Sequence, residues 1–459
     1  MNHPQKTAYK VLRLRLLKLL HIVLMTLPFA IAWGGAYVHS GHASMAGAAG
    51  AAVTLVFLVL YVLFTRVYGA FFISQSRISE LVASQILSAL LADLFCYLLL
   101  ALLLRRFPGV WPKALVLPVQ MLIALLWTYW THRWYFRTFP PARSVVIYGD
   151  EDTLRRLLDD SAMGKRYAVE RILRDSECDP ALGCLDGAEV VFLADVASDC
   201  RDAVLKYAVG HDVSVYIVPH LGDIIMSGAA QVHMFHDPVL RAARSHPRPE
   251  YVIGKRAFDI VVALTALIVF SPVMLVTALA VKLGDGGPVF YRQKRLTKDG
   301  KIFSLLKFRS MRVDAEADGV ARLSTGDQDP RVTPVGRVIR KYRIDELPQL
   351  LNILAGDLSV VGPRPERPEI AAEYEKTLPE FRLRLQVKAG LTGYAQVCGR
   401  YNTDPYHKLQ MDLMYIAHLG FLEDLRICFA TVKTIFMPDS TEGVQEGMTT
   451  AMEEENVGV

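Results

Sequence analysis

Hydrophobic and polar positions follow three different patterns along the chain. In the first, long apolar runs at 16–38, 46–64, 86–104 and 114–134 are each near the roughly 20 residues needed to cross a bilayer, and predict a bundle of four transmembrane helices over residues 1–139, closed by Pro140-Pro141. In the second, from 144 to 219, short β-rich runs ("SVVIYG", "AEVVFLA", "VSVYIVP") alternate with helical stretches ("EDTLRRLLDD", "DCRDAVLKYAVG"). That alternation predicts a parallel, Rossmann-like α/β domain over 143–235. A Pro- and Arg-containing linker at 236–253 leads to the third pattern: a mainly α domain over 254–438 that opens with a further apolar run and carries a small β-hairpin.

That apolar run, about 255–283, is long enough to span, but Ser271-Pro272 interrupts it at its centre. A proline removes a backbone donor and crowds the preceding turn. The break predicts a re-entrant helix that enters and leaves one leaflet, with Lys255, Arg256 and Lys282 snorkelling to the same face. The following segment, "PVFYRQKRLTKDGKIFSLLKFRSM", reads as two strands joined at Asp299-Gly300. Leu347, Leu350, Leu351 and Leu354 fall at i, i+3, i+4 and i+7 and predict an amphipathic helix from Asp345 to Gly356, with Asp345 as its N-cap. The Glu- and Gly-containing tail, 440–459, is expected to be disordered.

Composition agrees with a membrane protein: 52% of the 459 residues are hydrophobic and the mean hydropathy is +0.26. Lys6, Lys10, Arg13, Arg15 and Lys18 precede the first helix, whereas the next loop, "HSGHAS", has no Lys or Arg, which puts the N-terminus in the cytoplasm. Four crossings return the chain to that side; Arg105, Arg106 and Lys113 on an outer loop run against the rule. No cleavage-site pattern accompanies the first run, so it is expected to be an anchor. The net charge of +5 is modest and spread over several segments, which points to phosphate ligands or an anionic membrane surface and not to nucleic acid. Cys96, Cys178, Cys184, Cys200, Cys398 and Cys428 form no C-x-x-C pair and are expected to be buried thiols. The turn "YGDEDT" puts acidic groups where a dinucleotide-binding turn needs glycines, so the α/β domain is not expected to hold NAD.

Candidate chemistry gathers in "RKYRIDELPQLLNILAGDLSVVGPRPE". A helix N-terminus attracts anions. Arg340, Arg343 and a proline-flanked Arg364 stand close in sequence to the adjacent carboxylates Asp345 and Glu346. Two carboxylates beside a phosphate site make sense if one binds a divalent cation and the other attacks phosphorus. Lys307 and Arg309, either side of Phe308, could converge on an anion from one strand face. Arg331 and Arg340 suit the phosphate side, and Lys388 and Gln396 sit in a glycine-interrupted stretch that suits a loop over the site. Asp314 and Glu316 could serve a metal or simply a solvated turn.

The segment 251–437 resembles the bacterial sugar transferases known as monotopic phosphoglycosyl transferases, which act on polyprenol phosphate. The matching pieces are Lys255-Arg256 with Asp259, the Ser271-Pro272 break, "GPVFYRQKR", "LKFRSM", "DAEAD", "DPRVTPVGRVIRKYRIDELPQLLNILAGDLSVVGPRPE" and "VKAGLTGYAQVCGRYNTDPYHK". Four helices and a Rossmann-like domain ahead of them look like the large subgroup of that family. The resemblance implies that Asp345 attacks the β-phosphate of a UDP-sugar, releasing UMP and forming a phosphosugar-aspartyl intermediate that undecaprenyl phosphate then attacks. It implies that Glu346 binds Mg²⁺ and that Arg364 contacts the diphosphate. The expected setting is the bacterial cytoplasmic membrane, the catalytic domain facing the cytoplasm, with a homodimer plausible through the membrane and α/β parts. The rival functions are a non-catalytic scaffold of polysaccharide assembly and a nucleotide-sugar epimerase or dehydratase.

Overall fold

A computed structural model describes residues 3–33, 48–74, 76–105, 107, 109–159, 163–179, 183–312, 315, 329, 331–399 and 404–435. The "HSGHAS" loop, Arg106, Asp314, Glu316 and the 440–459 tail lie outside them. The chain forms two compact units, 1–218 and 219–459.

The first unit opens with four long helices, α1 (His3–Ala32), α2 (Ala48–Val67), α3 (Ile78–Leu104) and α4 (Trp111–Thr138). Consecutive helices are neighbours and α1 also packs on α4. Each is long and apolar enough to cross a membrane, and many outward positions are apolar, such as Leu16, Leu94 and Leu126. α3 starts at Ile78, well before the expected 86, because its polar first turns are satisfied inside the bundle. Ser84 Oγ donates to Glu80 O, Gln85 Nε2 to Ala70 O, and Thr128 Oγ1 to Gln85 Oε1. Buried hydroxyls and amides need such partners where no water is at hand.

Then come β1 (Ala142–Tyr148), α5 (Glu151–Leu158), α6 (Met163–Arg166), β2 (Tyr167–Arg174), β3 (Val190–Ala194), α7 (Ser198–Gly210) and β4 (Ser214–Val218). The four strands form a parallel sheet in the order β2-β1-β3-β4, and β3 is buried at all five positions, as a central parallel strand should be. After β1, the Asp150 carboxylate accepts from Thr153 N at 2.8 Å and caps α5. The chain's own anion thus takes the helix N-terminus where a dinucleotide fold places pyrophosphate. Of the six cysteines only Cys96 is fully buried; Cys398 is exposed, and the Cys178 and Cys184 sulfurs lie 3.2 Å apart.

The second unit begins upstream of the boundary expected at 235. α8 (Leu221–Ser227) buries Ile224 in the core of this unit, and Gln410 Nε2 donates to Pro219 O. The expected linker contains half of a hairpin, β5 (Ala230–Met234) with β6 (Asp237–Arg241). Next is α9 (Pro249–Asp285), a continuous helix of 37 residues with Pro272 inside. Pro272 cannot supply the amide hydrogen due to Ile268 O four residues back, and the Ser271 hydroxyl donates to that carbonyl at 2.8 Å. Lys255 and Arg256 do not snorkel. Lys255 Nζ pairs with the fully buried Asp424 at 2.9 Å, while Asp259 Oδ1 accepts from Ser359 Oγ and Val360 N. The α9 entrance is therefore pinned to the body of the unit.

β7 (Phe290–Leu296) and β8 (Ile302–Phe308) form the expected antiparallel hairpin, with Asp299 (φ 59) and Gly300 (φ 75) in the left-handed region at its turn. The remainder is α10 (Pro334–Lys341), α11 (Gln349–Ala355), β9 (Ser359–Val361), α12 (Pro368–Thr377), β10 (Gly390–Thr392), α13 (Tyr394–Cys398), α14 (Pro405–Ala417) and α15 (Phe421–Ile435). β9 and β10 pair in parallel amid a core that includes Ile353, Leu358, Tyr374, Phe381 and Leu409.

Candidate active site

Asp345 is not the N-cap that its sequence suggests. It lies in a 3-10 turn, Ile344–Glu346, ahead of α11. Pro348 has no amide hydrogen to continue an i→i−4 ladder, so the chain closes through shorter bonds, Leu347 N to Ile344 O and Leu351 N to Pro348 O. The buried face of α11 is Gln349, Leu350, Asn352 and Ile353, and Leu351 is exposed. The turn is entered through Arg343 at φ 54. A side chain held in the left-handed region costs on the order of 1–2 kcal/mol, and such strain collects at functional sites.

This turn buries Asp345 at 8% exposure and directs Glu346 into a ring of cations. Glu346 Oε1 lies 3.4 Å from both Lys307 Nζ and Arg364 Nη2, and Oε2 lies 3.9 Å from Arg343 Nη1. Burial pushes the Asp345 carboxyl up to about 6; Lys307 and Arg340 oppose the rise and Glu346 adds to it. Burial would raise Glu346 as well, but Lys307, Arg364 and Arg343 outweigh it and hold that carboxyl near 2. Two adjacent carboxylates thus have opposite tendencies, the mark of a division between a reacting group and a fixed charge. Lys307 in turn is lowered by burial.

The other expected site residues divide. Lys307, Arg340, Arg343 and Arg364 gather electrostatically on the Asp345-Glu346 pair. Arg309 does not share Lys307's target: β8 ends at Phe308, and Arg309 Nε donates to Pro288 O at 2.7 Å. Arg331 forms a two-point pair with Asp329. Lys388 Nζ donates to Gly356 O beyond the far end of α11, where Arg256 also caps Ile353 O and Leu354 O. The stretch expected as a loop over the site is β10 followed by α13. Its glycines allow backbones to touch, since a Cβ on Gly390 would stand 2.1 Å from Gly362 N and one on Gly393 2.1 Å from Gly362 O. Gln396 Nε2 is spent on Leu391 O.

Sequence reasoning missed the groups that set this geometry. Asn352 Oδ1 accepts from Leu306 N and its Nδ2 donates to Ser304 O, tying the strand that carries Lys307 to the helix that follows Asp345. Only an Asn on the buried face of a leucine-rich helix could have signalled it. Buried Arg384 and Asp412 join the partly buried Arg295 and Glu366 in a charged cluster behind the Arg364 turn.

Among the described residues no three His, Cys, Asp or Glu side chains converge as a metal cage. Mg²⁺ does not require one, because it keeps several waters and takes one or two carboxylates plus substrate phosphates. Glu346, ionised and partly open beside cations that could hold a diphosphate, fits that role.

The family described as bacterial sugar transferase matches residues 250–438. A UDP-N-acetylgalactosamine-undecaprenyl-phosphate N-acetylgalactosaminephosphotransferase of Aeromonas hydrophila is 34% identical over 307 residues, covering 64% of this chain and 67% of that protein. The chain belongs to the bacterial sugar transferase family. An exopolysaccharide production protein, PSS, of Rhizobium leguminosarum bv. phaseoli is 43% identical over 190 residues, covering 39% of this chain and 94% of the relative. A UDP-glucose:undecaprenyl-phosphate glucose-1-phosphate transferase of Escherichia coli (strain K12) is 37% identical over 61% of this chain and 56% of its own length. The family segment of this sugar transferase contains α9, the hairpin and the whole Asp345 site.

Proposed function

We propose that this chain transfers a sugar-1-phosphate from a UDP-sugar to undecaprenyl phosphate, giving the polyprenyl-diphosphate-sugar and UMP, as an early membrane step of polysaccharide assembly. The carrying observation is the pair Asp345-Glu346, one carboxylate buried and raised, the other held ionised by Lys307, Arg343 and Arg364. The relatives' names supply the donor and acceptor classes.

In this reading an Asp345 oxygen attacks the β-phosphorus. A phosphorus–oxygen bond forms to the carboxylate and the bond to the bridging oxygen breaks, its electron pair leaving with UMP. An oxygen of undecaprenyl phosphate then attacks the same phosphorus and returns Asp345 as a free carboxylate. No histidine base is needed, because a carboxyl near 6 is mostly ionised at neutral pH. Arg364, Arg343 and Lys307 turn from Glu346 to the diphosphate and offset its charge, so positioning and electrostatics supply the catalysis. Glu346 would hold Mg²⁺, which when bound neutralises phosphate oxygens. Arg340 faces the Asp345 side and suits the incoming prenyl phosphate. α9 acts as a re-entrant helix bent at Ser271-Pro272, keeping the site at the cytoplasmic surface of a multi-pass protein of the bacterial cytoplasmic membrane. A homodimer is compatible with this arrangement.

The test is UMP release from a panel including UDP-glucose and UDP-N-acetylgalactosamine, with Mg²⁺ and undecaprenyl phosphate, beside Asp345→Asn. UMP from one donor, lost in the variant, supports the reading. UDP in place of UMP would mean direct glycosyl transfer, and a variant with normal turnover would remove Asp345 as nucleophile.

A further inference from the structure

The turn Pro363-Arg364-Pro365-Glu366 is unusual in how completely its carbonyls are held. Pro363 O accepts from Gly390 N at 2.9 Å and Glu366 O from Leu296 N at 2.9 Å. The two carbonyls between them accept from guanidinium groups of different elements: Arg364 O from Arg384 Nη2 at 3.0 Å and Pro365 O from Arg295 Nη1 at 2.9 Å. Arg384 comes from the 3-10 segment Pro379–Gln386 and is 3% exposed. It is fixed in turn by Asp412 Oδ2, 2.8 Å from its Nε and 2.7 Å from its Nη2, and its Nη1 lies 3.6 Å from Glu366 Oε1.

A buried ion pair is a poor way to gain stability, because its desolvation rivals its attraction. Holding two arginines in one geometry does, however, fix whatever they terminate on. Here Arg384 terminates on the backbone of Arg364, whose side chain stands 3.4 Å from Glu346, and Arg295 on that of the next residue, Pro365. We infer that Arg384, seated by Asp412, is a positioning residue that sets Arg364 against Glu346 and the donor diphosphate without touching substrate itself. The inference rests on the transferase reading for its ligand, a nucleoside diphosphate, and on the hydrogen bonds alone for its geometry.

The experiment compares full-length wild type, Arg364→Ala, Arg384→Gln, Arg384→Lys and the double variant Arg364→Ala/Arg384→Gln. Two readouts are taken, UMP-release kinetics and calorimetric binding of UDP. Outer groups that orient a site residue typically matter by roughly 10–100-fold, so Arg384→Gln should raise the UDP-sugar KM and the UDP Kd by that factor. The KM for undecaprenyl phosphate should stay within about twofold, and in the Arg364→Ala background Arg384→Gln should add less than about twofold, because both changes remove one effect. Arg384→Lys keeps the charge but not the fork that serves Asp412 and the carbonyl together, so it should show an intermediate rise at an unchanged thermal midpoint. If Arg384→Gln does not fold, Arg384→Lys decides alone. Additive losses in the double variant, equal changes in both KM values, or unaltered UDP binding in the folded single variants would overturn the inference. A wild type that binds UDP but releases no UMP would instead sink the transferase reading and leave the positioning result readable from calorimetry. A wild type that binds no UDP overturns both.

Discussion

At the residue scale the site is two neighbouring carboxyls under opposite pressure, and the signs lead to separable outcomes. A nucleophile must be ionised, so kcat/KM should fall with unit slope as pH drops through about 6, the value to which burial raises Asp345; a flat profile between pH 5 and 7 would show that another group limits the rate. Stability moves differently. The raised folded value of Asp345 means that ionising it opposes folding: the cost is absent below its ordinary value near 3.8, grows as pH rises, and is complete above about 6. Asp345→Asn should therefore lose transfer yet melt at the same or a higher temperature than wild type at pH 7.5. Glu346 has a depressed folded value, so it adds stability above its ordinary 4.5 and loses it as pH falls toward 2. Glu346→Gln should melt lower at pH 7.5 and need more Mg²⁺ for half-maximal rate. Melting shifts of the same sign in the two variants would contradict the electrostatics described above. The sequence exposed the acidic pair and its basic neighbours. It did not expose which carboxyl is raised, because Lys307, a strand residue 39 positions before Glu346, draws both down, and the difference comes from the burial of Asp345 and from Arg364 and Arg343 standing on Glu346.

At the element scale, legibility followed how local the cause was. The turn at Asp299-Gly300 was readable because two left-handed residues dictate it. The start of α11 was misread because Asp345 matches a capping pattern, and only the missing amide hydrogen of Pro348 and the shorter bonds around it displace the helix to Gln349. Lys255 and Arg256 were misread as snorkelling because their partners, Asp424 and the carbonyls of Ile353 and Leu354, are distant in sequence. Gly336 was passed over for the same reason: a Cβ there would stand 1.9 Å from Ser310 O, where the backbone just after β8 passes the first turn of α10, ahead of Arg340. Gly336→Ala must push those backbones apart and should lower both the thermal midpoint and kcat/KM. Asn352→Leu leaves Leu306 N and Ser304 O without their buried partner and should destabilise by about 1–3 kcal/mol. It should also raise the UDP-sugar KM, since Lys307 loses its anchor. A variant melting like wild type would show that the hairpin is held by other contacts.

At the scale of the whole molecule, sidedness has a native probe. Among the described residues five helices are long and apolar enough to span, and α9 is the least covered of them, with 11% of its apolar window buried against 22–39% for α1–α4. Its apolar surface therefore meets lipid whichever path it takes. Parity separates the two paths. If α1–α4 cross and α9 only enters, everything after α9 stays on the side of the N-terminus, which is the cytoplasm in the orientation proposed above; if α9 crosses too, the Asp345 site lies on the opposite side from the N-terminus. Cys398 follows α9 in sequence and is exposed, so a membrane-impermeant maleimide can report on it without engineered thiols. In intact spheroplasts Cys398 should stay unlabelled and become labelled after lysis, with Cys398→Ser assigning the signal. Labelling before lysis would mean a spanning α9, and the cation ring around Glu346 would then need a different ligand from a cytoplasmic nucleotide sugar.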